Sequence, residues 1–216
     1  MHPKNLKSLS SGFSLIELLA VMAIIAILVT VLIPVMMNSA DDVKRGATDT
    51  FLSQLDSVIS EFELEHGGAP LSSFDAKMTG VANNKVNEGS EMLVLKLYAK
   101  DRTAPELPDS RIGNVDGDTA KKTQTSFTNA DLFEIVDDWG NPIVYIHRTD
   151  YGKTFTYAVI EPGTGAFIEC NVKAGTNPAT GDPYRKSSYQ LISAGVDGIF
   201  GPNPDLGDAV DDITNY

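Results

Sequence analysis

The feature that most constrains this chain is an uncharged stretch of 20 residues, Leu18 to Met37, which begins beside a single carboxylate, Glu17. Only Thr30 and Pro34 interrupt its apolar side chains. As an α-helix, the stretch would span about 30 Å, the thickness of the hydrocarbon core of a bilayer. A cleaved secretory signal fits poorly, because its apolar region is usually about 7 to 15 residues long and precedes the cleavage site. The sequence therefore predicts a membrane-spanning helix that includes Leu18–Met37, preceded by a short basic leader.

The distribution of charge predicts how the chain is oriented. Lys4 and Lys7 lie in the leader, whereas residues 38–216 carry 15 Lys and Arg against 28 Asp and Glu, a formal net charge of −13. Positive flanks remain on the cytoplasmic side of a membrane. We therefore expect a single-pass protein of the inner membrane with a cytoplasmic N-terminus and a periplasmic C-terminal domain. Nucleic acid is not an expected partner, because the acidic domain would repel polyphosphate.

The helix is predicted to continue beyond the apolar stretch as an amphipathic half, residues 38–68. Gly67 and Gly68 are expected to end it. Apolar side chains recur there at intervals of three and four, which places them on one face. They are Val43, Ala47, Phe51, Leu55, Val58, Ile59 and Phe62.

The rest of the chain predicts one α+β domain. Residues 69–136 form a variable region, with a helix favoured over a strand at residues 91–100 and a loop or linker at 103–128. Residues 137–216 contain four β-rich runs separated by Gly, Asp and Pro, which indicates a small antiparallel sheet. These runs are residues 143–147, 155–160, 165–172 and 189–194. The fold class is therefore a long N-terminal helix packed on one layer of antiparallel sheet, with an acidic loop at the C-terminus.

Two acidic segments of the sequence are candidate calcium sites. Asn114, Asp116 and Asp118 have the spacing of the first ligands of an EF-hand, but Thr119 replaces the turn glycine and no glutamate completes a 12-residue loop. This segment is interpreted as a solvated turn.

The second acidic segment is the C-terminal loop, which has no Lys or Arg after Lys186. Several carboxylates folded together would repel each other without a cation, and Ca²⁺ accepts six to eight oxygen ligands in irregular geometry. His and Cys are absent from this segment, which argues against zinc. A structural Ca²⁺ is predicted, and a solvated acidic tail is the alternative. The carboxylates are those of Asp197, Asp205, Asp208, Asp211 and Asp212.

No catalytic motif is recognisable in the sequence. The exported domain has two histidines, His66 and His147, and neither belongs to a nucleophile or metal motif. The chain is not expected to be an enzyme.

The N-terminal segment resembles the class III signal of type IV pilins and pseudopilins. The resemblance rests on the basic leader followed by Gly12, Phe13, Glu17 and the apolar run with Pro34. It implies that residues 1–12 are a leader peptide, that a prepilin peptidase cuts between Gly12 and Phe13, and that Phe13 becomes an N-methylated terminus. The transmembrane helix half is then residues 13–37. It also implies a pilin-like fold and self-assembly into a filament. Glu17 is expected to pair with the α-ammonium of a neighbouring subunit in an apolar bundle, because an ionisable group at this depth needs a partner.

Two further segments resemble the major pseudopilins of type II secretion systems. The first is the turn Asp138-Trp139-Gly140-Asn141-Pro142, which lacks the proline that the family places between the aspartate and the tryptophan. The second is the C-terminal pair of segments Ser193–Gly198 and Asp212–Tyr216. The resemblance implies a calcium site at Asp197, Asp212 and backbone carbonyls near Ala194, with Asp205, Asp208 and Asp211 as alternates.

The expected function is therefore that of a structural subunit of a periplasmic pseudopilus acting in type II protein secretion. Its implied partners are other copies of the chain, the prepilin peptidase, the inner-membrane assembly platform and minor pseudopilins. A surface type IV pilin, a minor pseudopilin and a membrane-tethered periplasmic binding module are the alternatives. The single cysteine, Cys170, excludes the intrachain disulfide that closes the C-terminal loop of many adhesive type IV pilins.

Overall fold

The computed structural model describes residues 13–74, 84–161, 163–202 and 210–216, without the side chains of residues 31 and 34–38. This part of the chain divides into two compact units, one that ends at Asp42 and one from Val43 to Tyr216. Short 3-10 turns lie at Asp109–Arg111 and Arg148–Asp150. The helices are α1 (Leu15–His66) and α2 (Glu88–Leu97), and the strands are β1 (Ile112–Gly113), β2 (Glu134–Ile135), β3 (Val144–His147), β4 (Phe155–Ile160), β5 (Phe167–Val172), β6 (Tyr189–Ser193) and β7 (Ile213–Thr214).

Helix α1 runs through both units and ends where the sequence predicts. Gly67 adopts a φ of +77° and its N–H donates to the carbonyl oxygen of Glu63 at 2.8 Å, as in a helix C-terminus closed by glycine. The backbone is helical through Pro34. Among the described residues, no helix combines the length and the apolar character needed to cross a membrane. The assignment of residues 13–37 to a membrane span stays a prediction.

In the second unit, α1 contributes one stripe of side chains to the main core. Phe51, Leu55, Ile59 and Phe62 are buried, as the periodicity predicts. Val43 does not belong to the stripe, because it remains 70% exposed. The buried stripe begins further along the helix, where Thr48, Phe51 and Leu52 are buried.

The three-stranded sheet of the second unit has β6 at its centre, and β6 pairs antiparallel with β3 on one side and with β7 on the other. Tyr145 packs in the core cluster that contains α1 and α2, whereas Val144 and Ile146 pack in a second cluster with Phe155 and Tyr157 of β4. Both faces of this sheet are therefore covered, which explains why residues 143–146 are continuously apolar.

The strands form more than the single sheet layer that the sequence predicts. β4 and β5 pair with each other as a separate hairpin, and β1 and β2 form a third small ladder. The prediction of α+β architecture with antiparallel pairing is confirmed, but one layer of sheet against one helix is wrong. The reason is that β3 buries apolar side chains on both faces and so requires a second covering layer.

Residues 103–128 are not a linker. Leu107 and Ala120 are buried, and Thr125 forms a β-bridge with Ala99. Strand β1 also lies in this segment and pairs with β2. The Pro, Gly and Asp content predicts irregular backbone correctly, but it does not report that this backbone packs against the core.

The first turn of α2 is fixed by two residues. Asn87, which is fully buried with a φ of +57°, accepts from the N–H of Ala158 at 2.9 Å and donates to Glu134 Oε1 at 2.9 Å. Gly89 lies against β3 so closely that an added Cβ would be 2.1 Å from the carbonyl oxygen of Tyr145. This position therefore admits glycine alone without movement of the backbone.

We predict that Gly89→Ala destabilises the second unit. Alanine normally stabilises a helix by about 0.5–1 kcal/mol over glycine, but overpacking against a backbone atom costs about 1–3 kcal/mol. The melting midpoint of the full chain in detergent, followed by the fluorescence of the single tryptophan, Trp139, should fall by several degrees. Gly68→Ala is the matched control, since no atom lies within 4 Å of its added Cβ. A Gly89→Ala protein that melts at or above the unmodified midpoint contradicts the proposed close contact.

Candidate functional site

The described N-terminus of the chain forms a capping box at the start of α1. The N–H of Ser14 donates to Glu17 Oε2 at 2.8 Å, and the N–H of Glu17 donates to Ser14 Oγ at 3.3 Å. This reciprocal pair satisfies two of the backbone donors that a helix start leaves without intrahelical partners. Glu17 thus has a role within its own chain that the sequence analysis did not identify. Gly12, the other half of the predicted cleavage site, lies outside the described residues.

The first unit exposes apolar side chains on every side of α1. Its leucines and isoleucines in the described part are between 52% (Ile33) and 77% (Leu15) exposed, and Phe13 is 76% exposed. A helix that is apolar all round is one that lipid or other protein chains bury. The side chain of Pro34 lies outside the described part.

The turn at residues 137–142 connects several elements of the second unit. Asp138 Oδ2 accepts from Thr48 Oγ1 of α1 at 2.9 Å and from Arg111 Nη2 at 2.6 Å. Asn141 Oδ1 accepts from the N–H of Ile160 at 2.7 Å. Gly140 adopts a φ of +86°. These hydrogen bonds join the turn to α1, to Arg111 and to β4.

Two more residues of this turn contact neighbouring parts of the second unit. Trp139 lies against the main core cluster, and Pro142 forms a β-bridge with Val136. The turn thus combines hydrogen bonds at its polar residues with apolar contact at its tryptophan.

The C-terminal loop closes on its own backbone through two aspartates. Asp211 Oδ2 accepts from the N–H of Val196 at 2.8 Å and from that of Asp197 at 3.3 Å. Asp212 Oδ2 accepts from the N–H of Gly201 at 2.8 Å. Gly195, with a φ of +67°, approaches Asp211 so closely that an added Cβ would be 2.7 Å from its carbonyl oxygen. Residues 195–201 and 211–212 therefore form one folded loop.

Each of these two aspartates has one oxygen without a partner. Asp211 Oδ1 and Asp212 Oδ1 are buried and accept no hydrogen bond. Burial first, and then the nearby Asp211 and Asp197, together raise the pKa of Asp212 to about 7. Burial also raises the pKa of Asp211. Orphaned carboxylate oxygens that repel each other are the donors that a hard cation such as Ca²⁺ accepts, so these residues fit the predicted ion.

The predicted ligands of this loop are brought together only in part. Asp197, Asp211 and Asp212 lie in one loop beside the buried Ala194. Asp205 and Asp208 lie outside the described residues. Asp211, which the sequence analysis gave as an alternate, makes the contacts that close the loop.

A second group of carboxylates lies elsewhere in the second unit, and the sequence analysis did not identify it as a site. One oxygen each of Glu91, Asp116 and Glu134 lies within 4.8 Å of the other two. Glu91 is in the first turn of α2, Asp116 follows β1, and Glu134 begins β2. In the described part of the chain, this is the one group of three or more His, Cys, Asp or Glu side chains with such spacing.

Burial dominates the electrostatics of this carboxylate group. Burial first, and then the neighbouring Asp118, Glu134, Asp116 and Glu88, together raise the pKa of Glu91 to about 10. Burial raises the pKa of Glu134 to about 8 and that of Asp118 to about 7. Both carboxylate oxygens of Asp118 are buried and accept no hydrogen bond. The turn at residues 114–118 is therefore solvated only in part, because Gly117 is exposed whereas the carboxylate of Asp118 is buried.

A signal for this group was available in the sequence, but it was incomplete. The spacing of Asn114, Asp116 and Asp118 pointed to a cation, and the remaining ligands were sought at the end of the same loop. The structure instead brings Glu91 and Glu134 to that loop from residues 25 positions before Asp116 and 18 after it.

Comparison with known protein families gives a match for the N-terminal segment. Residues 7–33 match the family model described as the prokaryotic N-terminal methylation motif. No curated protein and no solved structure matches the chain. The match covers Gly12, Phe13 and Glu17, and the chain therefore carries a prepilin-type signal of the type IV pilin-like kind, which implies processing by a prepilin peptidase and pilus-like assembly.

Proposed function

We propose that this chain is a structural subunit of a periplasmic pseudopilus that polymerises from the inner membrane and acts in type II protein secretion. The observation that carries the proposal is the N-terminal methylation motif at residues 7–33, followed by a helix that is apolar on every side. The resemblance of residues 138–142, 193–198 and 212–216 to major pseudopilins supports the narrower assignment. Neighbouring copies of α1 would cover the exposed leucines and isoleucines in the filament, and lipid would cover them before assembly.

In this proposal Glu17 has two successive partners. In the single chain it accepts from the N–H of Ser14 at 2.8 Å. After cleavage, the α-ammonium of Phe13 on a neighbouring subunit approaches the same carboxylate in an apolar bundle, where a charge pair interacts more strongly than in water. The capping box holds the carboxylate at the helix start, ready for the second partner.

We also propose that Ca²⁺ closes the C-terminal loop, in place of a disulfide that one cysteine cannot form. Asp197, Asp211 and Asp212 would hold it with backbone carbonyls near Ala194. The unpartnered Oδ1 atoms of Asp211 and Asp212 support this assignment. The ion would offset the repulsion among these carboxylates and fix the two halves of the loop together.

Processing is the first test of the proposal. Mass spectrometry of the protein purified from membranes should find N-methylated Phe13 as the terminus. Gly12→Val should leave the leader attached, because valine puts a branched side chain at the position where the prepilin-type signal has glycine. Leu18→Val, which places valine beyond the cleavage site, should be processed normally. A mature protein that retains Met1, or normal cleavage of Gly12→Val, contradicts the proposal.

Assembly is the second test, and two substitutions separate the two partners of Glu17. Glutamine at this position still accepts from Ser14 in a capping box but has no charge to pair with an ammonium. We expect Glu17→Gln and Glu17→Val to be cleaved normally and both to lose intersubunit crosslinks by about tenfold, which corresponds to roughly 1.4 kcal/mol per contact.

Thr30→Val is the matched control for the assembly test, since it also removes a polar group from the apolar stretch and retains Glu17. It should crosslink like the unmodified chain. If Glu17→Gln assembles as well as the unmodified chain, Glu17 acts in helix capping alone and the intersubunit pair is rejected.

Calcium dependence is the third test. An ion present at 100 times its Kd stabilises the folded state by about 2.7 kcal/mol, or roughly 5–10 °C in melting midpoint for a domain of this size. Asp212→Asn should lose this part of the calcium-dependent rise in melting midpoint. The midpoint of the full chain in detergent is measured by Trp139 fluorescence, once with chelator and once with Ca²⁺.

Asp101→Asn is the control for charge in this test, because it makes the same chemical change at an exposed position. It should respond to calcium like the unmodified chain. An Asp212→Asn variant that keeps the full calcium-dependent gain shows that the C-terminal loop binds no ion.

A further inference from the structure

The carboxylates of Glu91, Asp116 and Glu134 have the mutual spacing of ligands that share one ion. Ca²⁺ binds oxygen at about 2.3–2.6 Å, so two oxygens on opposite sides of it are separated by about 4.6–5.2 Å. One oxygen of each of the three residues lies within 4.8 Å of the other two. A single cation between them could therefore contact all three.

Glu91 supplies an independent sign of a missing ligand. Its residue is 1% exposed, and its Oε1 is buried and accepts no hydrogen bond. A buried carboxylate oxygen without a partner is rare in folded proteins and costs free energy. Two partners could satisfy this oxygen among the neighbouring carboxylates: a cation bound between them, or a proton that one of them shares with Glu91.

The turn beside Glu91 presents further oxygen ligands. Asp118, whose two carboxylate oxygens are buried and unpartnered, follows Asp116 in the spacing Asn-x-Asp-x-Asp. In an EF-hand, positions 1, 3 and 5 of the loop provide the first ligands and a later glutamate completes the set. Here Glu91 of α2 and Glu134 of β2 lie where such a glutamate is needed.

Hydrogen bonds from neighbouring N–H groups hold two of these carboxylates in place. Glu134 accepts from Asn87 Nδ2 at 2.9 Å and from the N–H of Val115 at 2.9 Å. Asp116 Oδ2 accepts from Asn84 Nδ2 at 2.8 Å. Each carboxylate oxygen has a second lone pair, so these bonds orient the side chains and leave them able to bind an ion.

We propose that Glu91, Asp116, Asp118 and Glu134 form a Ca²⁺ site that joins α2, the turn after β1 and β2. The donors are all oxygen atoms, with no His or Cys in the group, which favours a hard cation over zinc. The four ligands come from three separate elements, which favours Ca²⁺ over Mg²⁺ because Ca²⁺ tolerates irregular coordination.

The site has a route to solvent. Asn84, Asn114, Asp116 and Glu169 line an open groove on the surface of the second unit. Asp116 therefore has its carboxylate at the boundary between this groove and the buried Glu91. An ion can enter from the groove without unfolding the domain.

The competing explanation is that Glu91 holds a proton and shares it with Asp118. The substitution Glu91→Gln separates the two cases, because glutamine imitates a protonated glutamate in shape and hydrogen bonding but is a poor calcium ligand. A shared proton predicts unchanged calcium binding in this variant, whereas the proposed site predicts a loss.

The test counts calcium on the full chain purified in detergent, first stripped with chelator and then dialysed against Ca²⁺. Glu91→Gln should bind one Ca²⁺ fewer per chain than the unmodified protein. Asp116→Asn, which changes a partly exposed side chain, should weaken the same site by about tenfold or more in a competition titration with a fluorescent chelator. Asp101→Asn is the matched control at an exposed position of the same unit and should bind like the unmodified chain.

Two comparisons keep this result separate from the C-terminal loop and from misfolding. In an Asp212→Asn background, Glu91→Gln should still remove one Ca²⁺, whether or not the C-terminal loop binds another. The Trp139 emission and the calcium-free melting midpoint of each variant should match those of the unmodified chain. If Glu91→Gln does not match, the calcium affinity of Asp116→Asn decides whether the site exists. Unchanged calcium stoichiometry and affinity in the correctly folded variant, or an unmodified chain that binds no Ca²⁺, overturns the proposed site.

Discussion

The second unit depends on the buried carboxylate of Asp137, which is 3% exposed. Its Oδ1 accepts from the N–H groups of Trp139 and Asn141 at 2.9 and 3.0 Å, and its Oδ2 accepts from Ser193 Oγ at 2.7 Å. A carboxylate this deeply buried is tolerated only when its oxygens find donors. These three donors hold the turn before β3 closed and bind it to the end of β6. The next residue, Asp138, reaches Thr48 of α1, so two consecutive aspartates connect the sheet and the helix to the same turn.

The elements that sequence reasoning predicted correctly are those with local signals. The end of α1 follows from Gly67, which can adopt a positive φ at little cost. The runs that became β3, β4, β5 and β6 are apolar or alternating and are bounded by turn residues, so their boundaries fall within two residues of the prediction. One apolar face predicts a helix at residues 91–100, and the structure has α2 at Glu88–Leu97, which confirms the helix and moves its end to Leu97. Periodicity was sufficient in these cases because each element is long enough to display it.

The predictions that failed concern contacts between distant segments. Strands β1, β2 and β7 are two residues each, too short for any periodic signal, and they exist because a neighbouring strand offers hydrogen-bond partners. The second sheet layer follows from burial on both faces of β3, which a run of apolar residues alone does not distinguish from a buried helix segment. Glu91 illustrates the same limit: on the helix it looks like one polar residue in an apolar run, and its meaning depends on Asp116 and Glu134, which only the fold brings beside it.

The carboxylates of this acidic chain differ in their burial and in their hydrogen-bond partners. Most carboxylates of a chain with net charge −12 can remain in water, where repulsion is weak and screened. In the described part of the chain, two groups retain buried carboxylate oxygens without hydrogen-bond partners: Asp211 with Asp212, and Glu91 with Asp118. The first group closes the C-terminal loop and the second joins α2 to the turn after β1, so both lie where the backbone is irregular. A cation that binds only the folded form would stabilise these two places in proportion to the logarithm of its concentration. The chain would then depend on its compartment for the rigidity that a larger apolar core or a disulfide provides in other domains.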